Sequence, residues 1–195
     1  MAIYSFKGFK PVIKSSSFVH PTASVIGDVH IGENVYVGPG AAIRGDWGTI
    51  VIEDGCNIQE NCIIHMFPGI TVTLKKGAHI GHGAVLHGVT IGENCLIGMN
   101  AVIMDEVVLE KECIVGALAF IKAKSVFESR SLIVGNPAKK IKSISDEMIE
   151  WKTKGTKLYQ ELPKECYKSL ETCEPLRTIE ENRPNHSKNY KIWKK

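Results

Sequence analysis

Val19, Val25, Ile31, Val37 and Ile43 are branched aliphatics set six residues apart. After three extra residues the series resumes at Ile52, Ile58 and Ile64, and after four more at Leu74, Ile80 and Leu86. One residue is then missing, and the series runs on through Ile91, Ile97, Ile103, Leu109, Val115 and Ile121. Glycine directly follows the aliphatic at 32, 38, 81, 92, 98 and 116, where a tight corner favours a residue without a Cβ. A helix would need apolar residues three and four apart, which this pattern lacks. Period six with β-branched residues predicts short strands wound into a parallel β-helix over residues 19–124.

This is the hexapeptide repeat, and residues 19–124 resemble the left-handed β-helix family. The resemblance implies three hexads to each triangular coil, with the first residue of each hexad pointing into the prism. Seventeen hexads then make between five and six coils. The fold class expected is all-β, a left-handed parallel β-helix carrying C-terminal helix.

Residues 1–18 read as a lead-in and 125–144 as a connecting segment. Ser145-Asp146-Glu147 has the order of an N-cap followed by first-turn acids, which opens a helix through Met148 and Trp151 to about Lys154. Thr156 can cap a second helix, with Pro163 kinking or restarting it. The helical segment is expected over 145–182. The chain's +3 charge is too small to argue for nucleic acid. Residues 183–195 hold Arg183, Lys188, Lys191, Lys194 and Lys195 and no acid, so they contribute +5 and leave −2 for residues 1–182. They read as a basic, flexible tail. The N-terminus lacks the order of a signal peptide, and no apolar run reaches membrane-spanning length. A cytoplasmic protein without membrane contact is expected. Six cysteines without CxxC spacing then read as reduced structural thiols.

The repeat also places the histidines. His65 follows Ile64 and His87 follows Leu86, and three hexads separate them. They therefore share an outer face in successive coils, about 4.8 Å apart at the backbone. Two stacked imidazoles can share a metal, because Zn–N bonds are about 2.0–2.1 Å; a plain polar sheet face is the competing reading. His82 takes the third position of its hexad on another face, where a neighbouring subunit could bring it to the pair. His20, His30, His79 and His186 fall off this column and read as structural or surface residues. Arg44, with Asp46 two residues on, lies one coil below His65, and Glu60, with Gln59 beside it, one coil below His82.

With these residues the resemblance becomes specific. Arg44-Gly45-Asp46, Asn57-Ile58-Gln59, His65, and Gly81-His82-Gly83 through His87 are similar to the site of the γ-class carbonic anhydrase family. Gly98-Met99-Asn100, Gly135-Asn136-Pro137-Ala138 and Pro175-Leu176-Arg177 narrow the resemblance to the subgroup of the phenylacetate-degradation protein PaaY and the carnitine-operon protein CaiE. It implies a homotrimer with metal sites between subunits, holding Zn2+, or alternatively Co2+ or Fe2+. His65 and His87 would come from one chain and His82 from its neighbour. Arg44 and Asp46 match the family's interface ion pair and Gln59 its water-orienting residue. Glu60 stands where the family commonly has Asp, and Asn57, in the same motif, is expected to touch the substrate.

Zinc lowers the pKa of its water to about 7, which makes hydroxide available to attack carbon dioxide or a thioester carbonyl. Fast carbon dioxide hydration calls for a titratable shuttle. Yet Trp47 follows Asp46, and residues 66–73 contain no acid. Trp47 and Phe67 instead offer an apolar rim to an organic acyl group. The expectation is a metal-dependent hydrolase of coenzyme A thioesters, with Glu60 as the catalytic carboxylate and Gln59 holding the nucleophile or oxyanion. The alternatives are carbon dioxide hydration, metal-free acyl transfer of the hexapeptide type, and a non-catalytic metal-containing partner of a pathway enzyme.

Overall fold

The computed structural model describes residues 2–184, 186, 190, 191 and 193. The chain winds into a left-handed parallel β-helix of about seven turns, followed by one helix. All seventeen repeat aliphatics are buried, none more than 3% exposed, and they stack in columns. Val25 pairs with Ile43, Ile43 with Ile64, Ile64 with Leu86, Leu86 with Ile103 and Ile103 with Ile121. Cys56, Cys62, Cys95 and Cys113 are buried free thiols inside the prism, and Cys95 Sγ accepts from the Cys113 backbone N–H at 3.3 Å.

The winding reaches beyond both ends of the repeat. Ala2–Tyr4 pairs with Ser24–Ile26 and Val12–Ile13 with His30–Ile31, so the expected lead-in forms a first, partial coil. At the other end Val126–Phe127 stacks on Val108–Leu109, and Ser131–Gly135 on Ile114–Val115. Ala138–Ser143 then pairs antiparallel with Ser131–Gly135 and covers the open edge of that sheet. The expected connecting segment is thus the last coil and its cap. The period of six continues into both end coils, with Ile13 six residues before Val19 and Phe127 and Ile133 six and twelve residues after Ile121, in register with Ile31, Leu109 and Val115.

Helix α1, Asp146–Ser169, starts as expected: the Ser145 side chain accepts from the Met148 N–H. It differs in being one helix rather than two. Thr156 does not cap; its hydroxyl donates back to the Lys152 carbonyl at 3.3 Å. Pro163 is accommodated inside the helix, which is pinned to the prism on both sides of it: Lys152 Nζ donates to Asn94 Oδ1 and the Gly77 carbonyl, Gln160 to the Gly55 carbonyl, and Tyr167 to the Ser17 carbonyl. Residues 170–182 are exposed and irregular rather than helical. Of the tail expected to be flexible, Lys188, Lys194 and Lys195 lie outside the described residues. Among those described, Tyr190, Lys191 and Trp193 lie against Trp151 of α1. Among the described residues no helix is long and apolar enough to cross a membrane.

Candidate metal centre

The two insertions in the repeat stack on each other. The Gly69 N–H donates to the Trp47 carbonyl at 2.8 Å. A Cβ on Gly48 would stand 2.0 Å from the Ile70 carbonyl oxygen, so only glycine lets the two loops approach this closely. The loops leave Trp47 and Phe67 about half exposed at the edge of one prism face.

On that face His65 pairs in register with His87, as the spacing predicts, and their ring centroids are 5.3 Å apart. Trp47 lies 5.2 Å from the His65 ring and Phe67 4.8 Å from the His87 ring. Arg44 Nη1 donates to Asp46 Oδ2 at 2.6 Å, while His65 Nε2 meets Asp46 Oδ1 at 3.0 Å and His65 Nδ1 faces Arg44 Nη2 at 3.4 Å. Arginine is a donor only, so Nδ1 is the acceptor nitrogen and Nε2–H donates to Asp46. Burial works to raise the Asp46 carboxyl, but hydrogen bonds from Arg44 and His65 outweigh it and hold the group below the ordinary carboxylate range. His87 Nδ1 donates to Asp105 Oδ1 at 2.6 Å. Sequence reading assigns Asp105 no role, although it takes the third position of its hexad, one coil above His87.

His82 lies apart, on the corner that follows Ile80. Its Nδ1 pairs with Glu60, whose other oxygen accepts from the Tyr36 hydroxyl at 3.3 Å. Burial and then the Glu60 charge push the Tyr36 hydroxyl pKa up, so it stays a donor. Glu60 thus holds a histidine. Beneath this corner Gln59 Nε2 donates to Asn57 Oδ1 at 2.9 Å and meets His79 Nε2 at 2.7 Å. Asn57, expected to touch substrate, is fully buried, supports Gln59 instead, and finds no partner for Nδ2 among the described residues. His79 Nδ1 in turn meets Thr156 Oγ1 on α1 at 3.2 Å. Burial, then the nearby Lys152 and His82 charges, push the His79 pKa down to about 3, so the ring is neutral. With both Gln59 amide hydrogens directed to these neighbours, its carbonyl oxygen is the end left to act.

Among the described residues of one chain, no three His, Cys, Asp or Glu groups converge to hold a metal ion. The three histidines nonetheless share one chemistry. Each has one ring nitrogen on a carboxylate, which is how metal-ligating histidines are commonly oriented. On this observation the donor set fits a zinc-like ion, provided two copies contribute and His65 Nδ1 exchanges its 3.4 Å contact with Arg44 for the metal. His20 and His30 bond to Thr22 and Asp28 at the surface, away from both clusters.

Residues 10–45 and 88–123 match the family model described as bacterial transferase hexapeptide (six repeats). The chain is 46% identical over 184 residues to the carnitine operon protein CaiE of Escherichia coli K12, covering 94% of each chain. It is 47% identical, with the same coverage, to CaiE of Escherichia coli O157:H7. The chain belongs to the hexapeptide-repeat family of CaiE. Among solved structures, a hexapeptide transferase family protein of Anaplasma phagocytophilum superposes with a TM-score of 0.81 at 30% identity, over 84% of this chain and 97% of that one. A Bacillus cereus protein described as a candidate acetyltransferase gives 0.84 at 30% identity, over 87% and 98%. Residues 46–87, between the two stretches that match the family model, hold both insertions and all three site histidines. The departures from the repeat thus coincide with the candidate site.

Proposed function

We propose that this chain is a zinc-dependent hydrolase of coenzyme A thioesters of the PaaY and CaiE type, acting as a homotrimer in carnitine or phenylacetate metabolism. His65 and His87 of one subunit would meet His82 of the next. The observation that carries the reading is the carboxylate behind each histidine: Asp46, Asp105 and Glu60. Zinc held there would supply a water of pKa about 7 and polarise a carbonyl oxygen.

The chain's own residues do the rest. Asp46 and Asp105 fix the ring orientations of His65 and His87, and Glu60, steadied by Tyr36, fixes His82. Trp47 and Phe67 exclude water from one side of the site and give the acyl group an apolar wall. The Gln59 carbonyl oxygen accepts a hydrogen bond from the attacking water or from an amide N–H of the substrate; it does not donate to an oxyanion. Hydrolysis adds water across the C–S bond and releases a carboxylate and a thiol.

Acyl transfer is the second reading, favoured by the transferase descriptions of the two superposed structures. The test is one metal-analysed preparation assayed with an aryl-acyl coenzyme A, acetyl coenzyme A and carbon dioxide. We expect about one zinc per subunit and chelator-sensitive thioester cleavage. Rapid carbon dioxide hydration without thioester cleavage would replace this reading with a carbonic anhydrase. Chelator-insensitive transfer to an amine or hydroxyl would replace it with an acyltransferase, and bound metal with no turnover would indicate a non-catalytic partner.

A further inference from the structure

A cavity of about 550 Å³ runs between α1 and the prism, starting at Gln59 and His82. Its size lies within the range of roughly 300–1,000 Å³ typical of small-molecule sites. Its presence follows from the repeat. Above Gln59, the outward position next to the interior aliphatic is glycine three times running, at Gly81, Gly98 and Gly116. Each is held to glycine by the coil above: a Cβ on Gly81 would stand 2.7 Å from the Ile97 carbonyl oxygen, and one on Gly98 2.4 Å from the Ala117 nitrogen. Among the described residues no side chain therefore fills the space beneath the helix.

The helix cannot sink into this space. Lys152 is bonded to Asn94 and Gly77, and Thr156 to His79, all on the prism side of α1. The cavity walls include Met99, Trp151, Leu158 and Tyr190, whose polar groups are the tyrosine hydroxyl and the indole N–H, the latter engaged by the Lys191 carbonyl at 2.9 Å. Lys152 also borders the cavity, but its ammonium is engaged by the Gly77 carbonyl and Asn94 Oδ1.

We infer that this cavity binds the acyl chain of the substrate, an apolar chain whose reacting carbonyl lies at the His82 and Gln59 end. Trp47 and Phe67 of the adjoining subunit would border the atoms next to that carbonyl, and the cavity takes the remainder. Placing the carbonyl there rests on the thioesterase reading above. The preference for an apolar chain does not.

The test is calorimetric titration of the full chain with straight-chain carboxylates from butanoate to decanoate, alongside the Leu158→Trp and Met99→Trp variants. Both substitutions add bulk at half-exposed walls, and unchanged thermal unfolding serves as their folding control. Affinity is expected to rise roughly fourfold for each added methylene, the usual gain for burying one. Both variants should cut that rise to below about twofold. Affinity independent of length, or a rise that both variants leave intact, overturns the inference. So does chain-length dependence that emerges only after residues 186–195 are removed, because the cavity would then be the seat of the chain's own tail. Length-dependent binding without any thioester cleavage would uphold the cavity assignment and refute the thioesterase reading. Cleavage of acetyl and decanoyl thioesters at equal rates, with no carboxylate bound, would do the reverse.

Discussion

His87 Nδ1 donates to Asp105 Oδ1 at 2.6 Å, across one coil of the prism. The residue between the two partners explains the contact. Gly88 follows His87 at φ +61°, and a Cβ there would stand 2.6 Å from Asp105 Oδ1. The hexad that lost one residue leaves room for the carboxylate to reach the ring.

From this contact follows the first prediction. Asp105→Asn should keep the fold, since the site is at the surface, and weaken zinc binding about 10–100-fold, the usual cost of losing a carboxylate behind a ligating histidine. Competition titration against a chelating dye measures it. Unaltered affinity would mean that His87 is not a ligand or that Asp105 does not orient it.

Glu60 is predicted to behave in the same way, and not as a free general base. Because it holds His82, Glu60→Gln should lower zinc affinity as well as rate. Tyr36→Phe removes one hydrogen bond to Glu60 and should do the same more weakly. If Glu60→Gln retained full metal affinity while its rate fell about 10²–10⁴-fold, a proton-transfer role would be the better account.

The prism was legible because its rule is one-dimensional: an aliphatic every sixth residue fixes which residues stack. That rule put His65 against His87 and set His82 apart, and both placements follow from position alone. It could not show what the outward residues do with one another. Asp105 is an ordinary corner residue in the repeat, and only a missing neighbour makes it a partner. Gln59 and Asn57 stand beside Ile58 as outward residues, so counting hexads assigns them to the surface. They are buried because α1 lies over that face, anchored by single polar side chains such as Lys152 and Gln160 that leave no periodic trace. The helix was likewise divided in two at Thr156, whose hydroxyl serves equally well as a cap or as a bond to the preceding turn.

Assembly can be tested by complementation. If each site combines His65 and His87 of one subunit with His82 of the next, neither His65→Ala nor His82→Ala alone should hold zinc. Trimers refolded from an equal mixture contain intact sites wherever a His82→Ala subunit supplies the pair to a His65→Ala neighbour. Random cyclic assembly makes that about a quarter of all sites. Metal analysis of the mixed trimer should recover about that fraction of the parent zinc. No recovery from a mixture that does form trimers would place all the ligands within one chain or rule out this set.

The last prediction concerns His79, whose neutral ring links Gln59 to Thr156 on α1. Its ordinary value is 6.5, and burial, with the Lys152 and His82 charges, pushes it down to about 3 in the folded chain. Between these values the unfolded chain binds a proton that the folded chain refuses. The unfolded state therefore holds more protons, and stability falls as pH falls through this window, by at most about 1.4 kcal/mol per pH unit from this one group. His79→Gln has no ring to protonate, so its stability should decline less steeply between pH 6.5 and 4, even though it starts lower at neutral pH. Urea unfolding of both proteins at several pH values gives the two slopes. Parallel slopes would show that the folded chain admits the proton on His79, with Gln59 turning its amide to accept it.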